Sequence, residues 1–508
     1  MNNAERMDNP GADIEPSKEA LAFGTDEKPK AKISDSPPPY DETSNDDKRK
    51  QEYPMTRLQI IKNLLVVSFG FLFLFTSFQS LANLQSSLNR EEGLGTWGLA
   101  TIYIALVLSC MFLPPFIIDI LGCKWTVAFS MLCYILYMVA NFYAVWGTII
   151  PAAIILGIGA APLWSAKCTY LTETGTWYAK MTGASHDDIV NRFFGIFFMI
   201  FQTSQIWGNL ISSLVFSERG QNASSGVSAE ILELCGPNNC PSHSDAYINN
   251  TNLQKPTIEQ VYTVCGIYVG FACIGFFIIT LLLDRIVLDK EAARAPGQKR
   301  LSFDLVWETF RHLINNHYQK LLIPLTIYSG VEQAFIAGDF TRSYVSCSVG
   351  IWNVGYVMIC YGVVDAFCSF TFGRLVQYVG HIPFFILAFV VHISCQITLL
   401  LWLPNPDQFY VFFILAAMWG IGDAVIQTQV NALYGWLFSD NPEAAFSNYR
   451  LWESVGFIIA FGYSFNLCTS VKLYFCIGNL VVGMVLYGVV EVLQRRSKSK
   501  SFDITPTK

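Results

Sequence analysis

The sequence predicts an all-α membrane protein of twelve transmembrane helices in two pseudo-symmetric six-helix bundles. Three observations predict it. Apolar residues make up 52% of the 508 and charged residues 14%, against about 25% charged in a soluble domain, so lipid is the solvent for most of the surface. Runs of about 20 apolar residues, the length that crosses a bilayer as a helix, recur six times on each side of a polar connection at 285–320. A short loop pattern recurs at the same place in each half. The net charge of −6 decides little, because the placement of charge along a membrane chain matters more than its sum. No basic block suggests nucleic acid as a partner.

Residues 1–56 are rich in Asp, Glu, Lys, Ser and Pro and hold no apolar run. They bury too little to offset chain entropy and read as a disordered cytoplasmic tail. They do not resemble a cleaved secretory signal, so the first span serves as a signal anchor. Within the tail, Pro37, Pro38, Pro39 and Tyr40 fit the Pro-Pro-x-Tyr pattern that WW domains bind as a preformed polyproline II segment. That motif points to a WW-domain ubiquitin ligase as a partner. Ser302 and Ser497 follow basic residues and are candidate phosphate acceptors, although juxtamembrane basic residues also serve as plain topological anchors.

The N-terminal bundle, 57–284, carries apolar segments at 60–83, 97–118, 125–145, 149–171, 193–216 and 260–283. The C-terminal bundle, 321–494, carries them at 321–343, 352–372, 382–403, 409–433, 450–468 and 473–493, and a cytoplasmic tail follows at 495–508. Arg57, Lys124, Arg192, Arg285, Lys320, Arg374, Arg495 and Arg496 gather at one set of helix ends. Lys and Arg are enriched on the cytoplasmic side, so both termini are placed inside, with the plasma membrane as the default location and the endosomal membrane as a second. The long external loop 217–259 holds sequons at Asn222 and Asn249, whose glycosylation requires a lumenal face. In the same loop Cys235 and Cys240 flank Gly-Pro-Asn-Asn, either as a disulfide or as two free thiols.

After the second span the chain reads Pro115-Phe-Ile-Ile-Asp119-Ile-Leu-Gly122-Cys-Lys124, and after the eighth Gly373-Arg-Leu-Val-Gln377-Tyr-Val-Gly380-His381. The two stretches align without a gap and resemble the repeated loop signature of the major facilitator superfamily. Pro115 replaces the first Gly of that signature and Gln377 the second Asp. A closer resemblance, to the uncoordinated-93 family of that superfamily, is carried by four stretches. They are Gly157-Ile-Gly159-Ala-Ala-Pro162-Leu-Trp164-Ser-Ala-Lys167, Asn191-Arg-Phe-Phe-Gly195, Gly338-Asp339-Phe-Thr-Arg342-Ser-Tyr344 and Asn448-Tyr-Arg450-Leu-Trp452-Glu453. The resemblance implies an accessory subunit, a regulator of potassium channels or an escort of membrane receptors. The fold by itself equally allows a secondary transporter of a small solute, rocking two halves about a central site and coupled to protons through Glu332 or Asp423.

Ionisable groups inside spans are costly and are functional candidates by default. Lys167, Glu332 and Asp423 fall on spans four, seven and ten, which line the central cavity if the facilitator resemblance holds. Lys167 either faces that cavity or sends its stem toward the headgroups. Glu332 and Asp423 either carry an ion or lock helices together as protonated or paired carboxyls. Asp365, on span eight, is assigned to packing. Gln79 and Asn83, then Gln202, Gln205 and Asn209, then Asp423, Gln427 and Asn431 form one-sided polar stripes, facing either a ligand or each other. Arg450 and Glu453 are spaced to pair within one turn, and Asp119 is expected to reach Arg450. No phosphate loop, nucleophile elbow or metal-ligand cluster occurs and the six histidines are scattered, so no enzyme, metal or cofactor is expected.

Overall fold

The computed structural model describes residues 55–220, 229–241, 250, 252, 256–286, 311–438, 442–464 and 466–503. In the first half, α1 (Arg57–Leu88) is followed by α2 (Leu94–Ala140), α3 (Trp146–Thr182), α4 (His186–Gly220) and α5 (Ile258–Leu282). In the second half, α6 (His317–Ala334) is followed by α7 (Val354–Val379), α8 (Ile382–Leu401), α9 (Phe409–Leu437), α10 (Pro442–Ser464) and α11 (Thr469–Asp503). Local sequence sets the ends. Thr56 with Gln59 and Thr257 with Gln260 form reciprocal caps that begin α1 and α5, satisfying amides that have no partner inside the helix.

Helix α2 contains the second and third expected spans, broken at Gly122, where φ is 69° and ψ 164°. Gly380, between α7 and α8, has φ 80° and ψ 174°. The same left-handed, extended joint therefore occurs at the two aligned glycines, a conformation open chiefly to residues without a Cβ. Gly373, the first glycine of the second copy, is an ordinary helical residue of α7.

Ten helical stretches among the described residues are long and apolar enough to cross a membrane. The two remaining long helices, α4 and α10, occupy the places expected for spans five and eleven and are more polar. Outward faces carry Leu108, Phe129, Leu281, Phe367 and Leu401, each more than half exposed, as a surface solvated by hydrocarbon requires.

The halves repeat one packing scheme. Helix α1 packs on α4 and α5 as α6 packs on α10 and α11, and the halves meet where α4 packs on α7 and α10 packs on α2. At the first of these junctions the backbones nearly touch: a Cβ built on Gly355 of α7 would lie 2.2 Å from the Asn209 carbonyl oxygen of α4. Only glycine allows that crossing.

Helix α6 does not end regularly. It widens into a π-helical segment, Phe335–Ser346, a geometry concentrated at functional sites. Asp339 within it accepts from Lys472 Nζ of α11 at 2.6 Å and from Ser464 Oγ of α10 at 2.7 Å, with both ionic side chains at most 3% exposed.

The end of the bundle opposite Gly122 and Gly380 bears a cap. Cys235 bonds to Cys347 and Cys240 to Cys468, across 112 and 228 residues of sequence. Cys235 and Cys240 are thus neither bonded to each other nor free thiols, and their two bonds carry the loop of the first half onto the second. The physical reason is that Asn239 and its neighbours lie on the start of α11, where Thr469 N donates to the Asn239 carbonyl at 2.9 Å. Asn250 and Asn252 continue the seam, donating to the carbonyls of Cys347 at 2.9 Å and Ser348 at 2.8 Å. Asn222, Asn249 and the motif Pro37, Pro38, Tyr40 lie outside the described residues.

Candidate functional site

Each half holds its own buried polar system. In the first, Asn83 Nδ2 donates to Gln205 Oε1 and Asn209 Oδ1, both at 3.2 Å, and Gln79 accepts from Ser204. The amide stripes of α1 and α4 therefore face each other, and Asn83 is a helix-pairing residue rather than a lining residue of an open cavity. Amides arranged this way satisfy one another within the low-dielectric interior.

Lys167 is 1% exposed. Its ammonium lies 4.4 Å from the ring centre of Phe197, 4.9 Å from Trp164, 5.0 Å from Phe198 and 5.3 Å from Phe194. Four aromatic faces supply the electrostatic attraction that solvent or a carboxylate would otherwise provide. The stem does not reach headgroups, and the structure does not bring Lys167 to Glu332 or Asp423.

In the second half, Glu332 of α6 is fully buried and accepts from Trp419 Nε1 of α9 at 2.7 Å. Asp423, one turn after Trp419, accepts from Tyr361 OH of α7 and is itself within hydrogen-bonding reach of Glu332. The remaining oxygens, Glu332 Oε1 and Asp423 Oδ1, are buried and receive no hydrogen bond from any protein donor. Asp365, one turn beyond Tyr361, accepts from Gln202 Nε2 of α4 at 3.1 Å and from Ser369 at 3.2 Å, so it helps to join the halves.

Sequence reading passed over the groups behind this cluster. Tyr328 OH lies 2.6 Å from His392 Nδ1 and accepts from Gln396 Nε2 at 2.9 Å. His392 stands midway along an apolar helix, and that isolation is the signal that would have singled it out.

Toward the Gly122 end, Gln427 Nε2 donates to Ser329 Oγ at 3.1 Å and Ser329 Oγ to Glu453 Oε1 at 3.3 Å. Arg450 and Glu453 pair at 2.7 Å, as their spacing predicts. They are not at the end of a span, however, because α10 begins eight residues before Arg450, about 12 Å of helix. Half of the Arg450 side chain is nonetheless accessible. The described partner of the Arg450 guanidinium is Glu453, one turn along α10, rather than Asp119. Lys124 rests over the ring of its neighbour Trp125, and His381 Nε2 of the second copy meets Glu491 at 2.6 Å.

Residues 88–490 match the family described as "Ion channel regulatory protein UNC-93". The chain belongs to the UNC-93 family. It is 52% identical over 448 residues to Protein unc-93 homolog A of Xenopus laevis, covering 88% of this chain and 96% of that one. It is 36% identical over 437 residues to the "Putative potassium channel regulatory protein unc-93" of Caenorhabditis elegans, 85% of this chain and 61% of that one. Among solved structures, the nucleoside transporter NupG superposes with a TM-score of 0.54 at 12% identity, over 85% of this chain and 98% of that one. The UNC-93 chain thus has the major facilitator fold. All four stretches that carried the family resemblance are structurally placed: Lys167 in its ring of aromatics, Arg192 early in α4, Asp339 in the π-helical segment and the Arg450–Glu453 pair within α10.

Proposed function

We propose that this protein is a non-enzymatic accessory subunit that regulates a potassium channel or another integral membrane partner, through its gating or its trafficking. The observation that carries this reading is UNC-93 family membership across residues 88–490. In keeping with it, the charges inside the membrane region are largely bound to the protein's own groups: Lys167 by aromatic rings, Asp339 by Lys472 and Arg450 by Glu453. All twelve expected segments cross the membrane, α4 and α10 included, with the capped end outside and both termini inside. The capped end carries two disulfides, which persist in an oxidising compartment. The plasma membrane is the proposed residence, Asn222 and Asn249 the glycosylation sites, and Pro37, Pro38 and Tyr40 the docking motif for a WW-domain ligase.

The test is affinity purification of the full chain from native membranes, followed by co-expression with each recovered channel. A change in potassium current or in surface density of that channel supports the reading. Recovery of no membrane protein, with currents unaltered, refutes it.

A second reading, a secondary transporter of a small solute, is favoured by one feature: the Glu332–Asp423 cluster near mid-membrane, at the meeting of α6, α7 and α9. Saturable uptake into proteoliposomes that is lost in Glu332→Gln would establish it.

A further inference from the structure

The geometry points to a single-proton binding site shared by Glu332 and Asp423, open to exchange along the side chains that lead to the accessible Arg450. Two buried carboxyls lie within hydrogen-bonding reach of each other, and each has one oxygen that no protein donor meets. The neighbouring carboxyl oxygens have donors: Trp419 for Glu332, Tyr361 for Asp423, Gln202 and Ser369 for Asp365. One proton supplies what both orphan oxygens lack, since the O–H of one carboxylic acid then donates to the carboxylate of the other. The pair carries one negative charge in that state rather than two, and two carboxylates in contact cannot both ionise in a low-dielectric interior.

A metal ion fits the site poorly. Among the described residues no three His, Cys, Asp or Glu side chains are grouped to hold one, and hard cations take six or more oxygens. A basic side chain does not fill the role either, because Arg450 is engaged with Glu453, Lys472 with Asp339 and Lys167 with its rings.

The titratable groups facing the pair are Tyr328 on α6, Tyr361 and Asp365 on α7, Glu453 on α10 and Cys476 on α11. His392 on α8 stands behind Trp419. Of the carboxyls among them, Asp365 accepts from Gln202 and Ser369, and Glu453 is paired with Arg450. Exchange has a route, because Gln427, one turn beyond Asp423 on α9, leads through Ser329 to Glu453 and the accessible face of Arg450. Since α6 and α9 each contribute one half of the site, loss of the proton pushes these helices apart. The site is independent of which partner or solute the protein serves.

The experiment is infrared difference spectroscopy on the full chain in lipid nanodiscs, read in H2O and D2O. A carboxylic-acid C=O band at neutral pH that shifts in D2O and disappears in the Glu332→Gln/Asp423→Asn double variant is the expected result, with the band retained in Asp365→Asn. Should the double variant fail to fold, pH titration of the band in the unaltered protein decides the matter alone. Absence of any such band at neutral pH overturns the proposal, as does a band untouched by the double variant, or its loss when potassium or sodium is added at fixed pH. Glu453→Gln is expected to slow deuterium exchange at the band several-fold, and an unchanged rate overturns the route. Proton binding without uptake of any solute would leave the site standing while the transporter reading falls.

Discussion

The ring of Tyr103 in α2 lies flat on the ring of Phe457 in α10, with centres 4.1 Å apart and planes within 2° of parallel, and Phe461 extends the stack at 5.9 Å. This stack joins the two halves one turn from Glu453. Offset aromatic pairs contribute about 0.5–1.5 kcal/mol beyond the area they bury. A double-mutant cycle with Tyr103→Ala and Phe457→Ala, read by thermal unfolding in detergent, is expected to give a coupling of about that size. Strictly additive single effects would show that the stack does not hold the halves.

The Asp339–Lys472 pair is nearly inaccessible and tied further by Ser464. Removing one partner of a buried pair leaves an uncompensated charge and costs about 3–5 kcal/mol. Lys472→Met is therefore expected to lower the melting temperature and surface expression sharply, and Asp339→Asn/Lys472→Met to recover part of the loss. A double variant as unstable as the single one would contradict this account.

Much of the architecture was legible because its signals are local. The aligned Gly122 and Gly380 need no tertiary information to be recognised, and they adopt the same backbone joint. Glu332 and Asp423 stood out because lipid-embedded carboxyls are costly wherever they occur. What could not be read depended on contacts between distant segments. The choice for the Asn83 stripe, ligand or neighbour, was settled by α4 facing α1. The aromatic box of Lys167 required α4 to present Phe194, Phe197 and Phe198 on one side. The pairing of Lys472 with Asp339 spans 133 residues and left no local signal. Arg450 was put too near the end of its span because the polar first turns of α10 do not register as membrane-spanning on an apolar scale.

The disulfides make a covalent prediction. Non-reducing peptide mapping of the purified chain is expected to yield Cys235–Cys347 and Cys240–Cys468 peptides and no Cys235–Cys240 peptide. Cys468→Ser should free Cys240 for alkylation while leaving Cys235 protected. Because both bonds join the cap to the second half, breaking one is expected to cost about 2–5 kcal/mol, seen as a lower melting temperature. Detection of a Cys235–Cys240 bond in unaltered protein would mean that the cap is not seated on α11.

Asp284, just past the end of α5, ties that helix to α1 and α3: it accepts from Lys62 Nζ at 2.6 Å and from Asn63 Nδ2 at 3.2 Å, and its carbonyl accepts from Tyr170 OH at 2.9 Å. Burial opposes ionisation of this carboxyl, but the hydrogen bonds from Lys62 and Asn63 and the nearby positive charges outweigh it and hold its pKa below the usual range. A depressed folded-state pKa contributes stability that is fully present above the unfolded value, about 3.9, and is lost as pH falls through the lower folded value. The pair is more than 40% exposed on each side, so solvent screening limits the contribution to about 0.2–1 kcal/mol. Melting temperature against pH is thus expected to separate unaltered protein from Asp284→Asn by a small constant gap above about pH 5, closing as acid protonates Asp284. A gap that widened with acidification would reverse the sign and remove Asp284 as the latch between the first and last helices of its half.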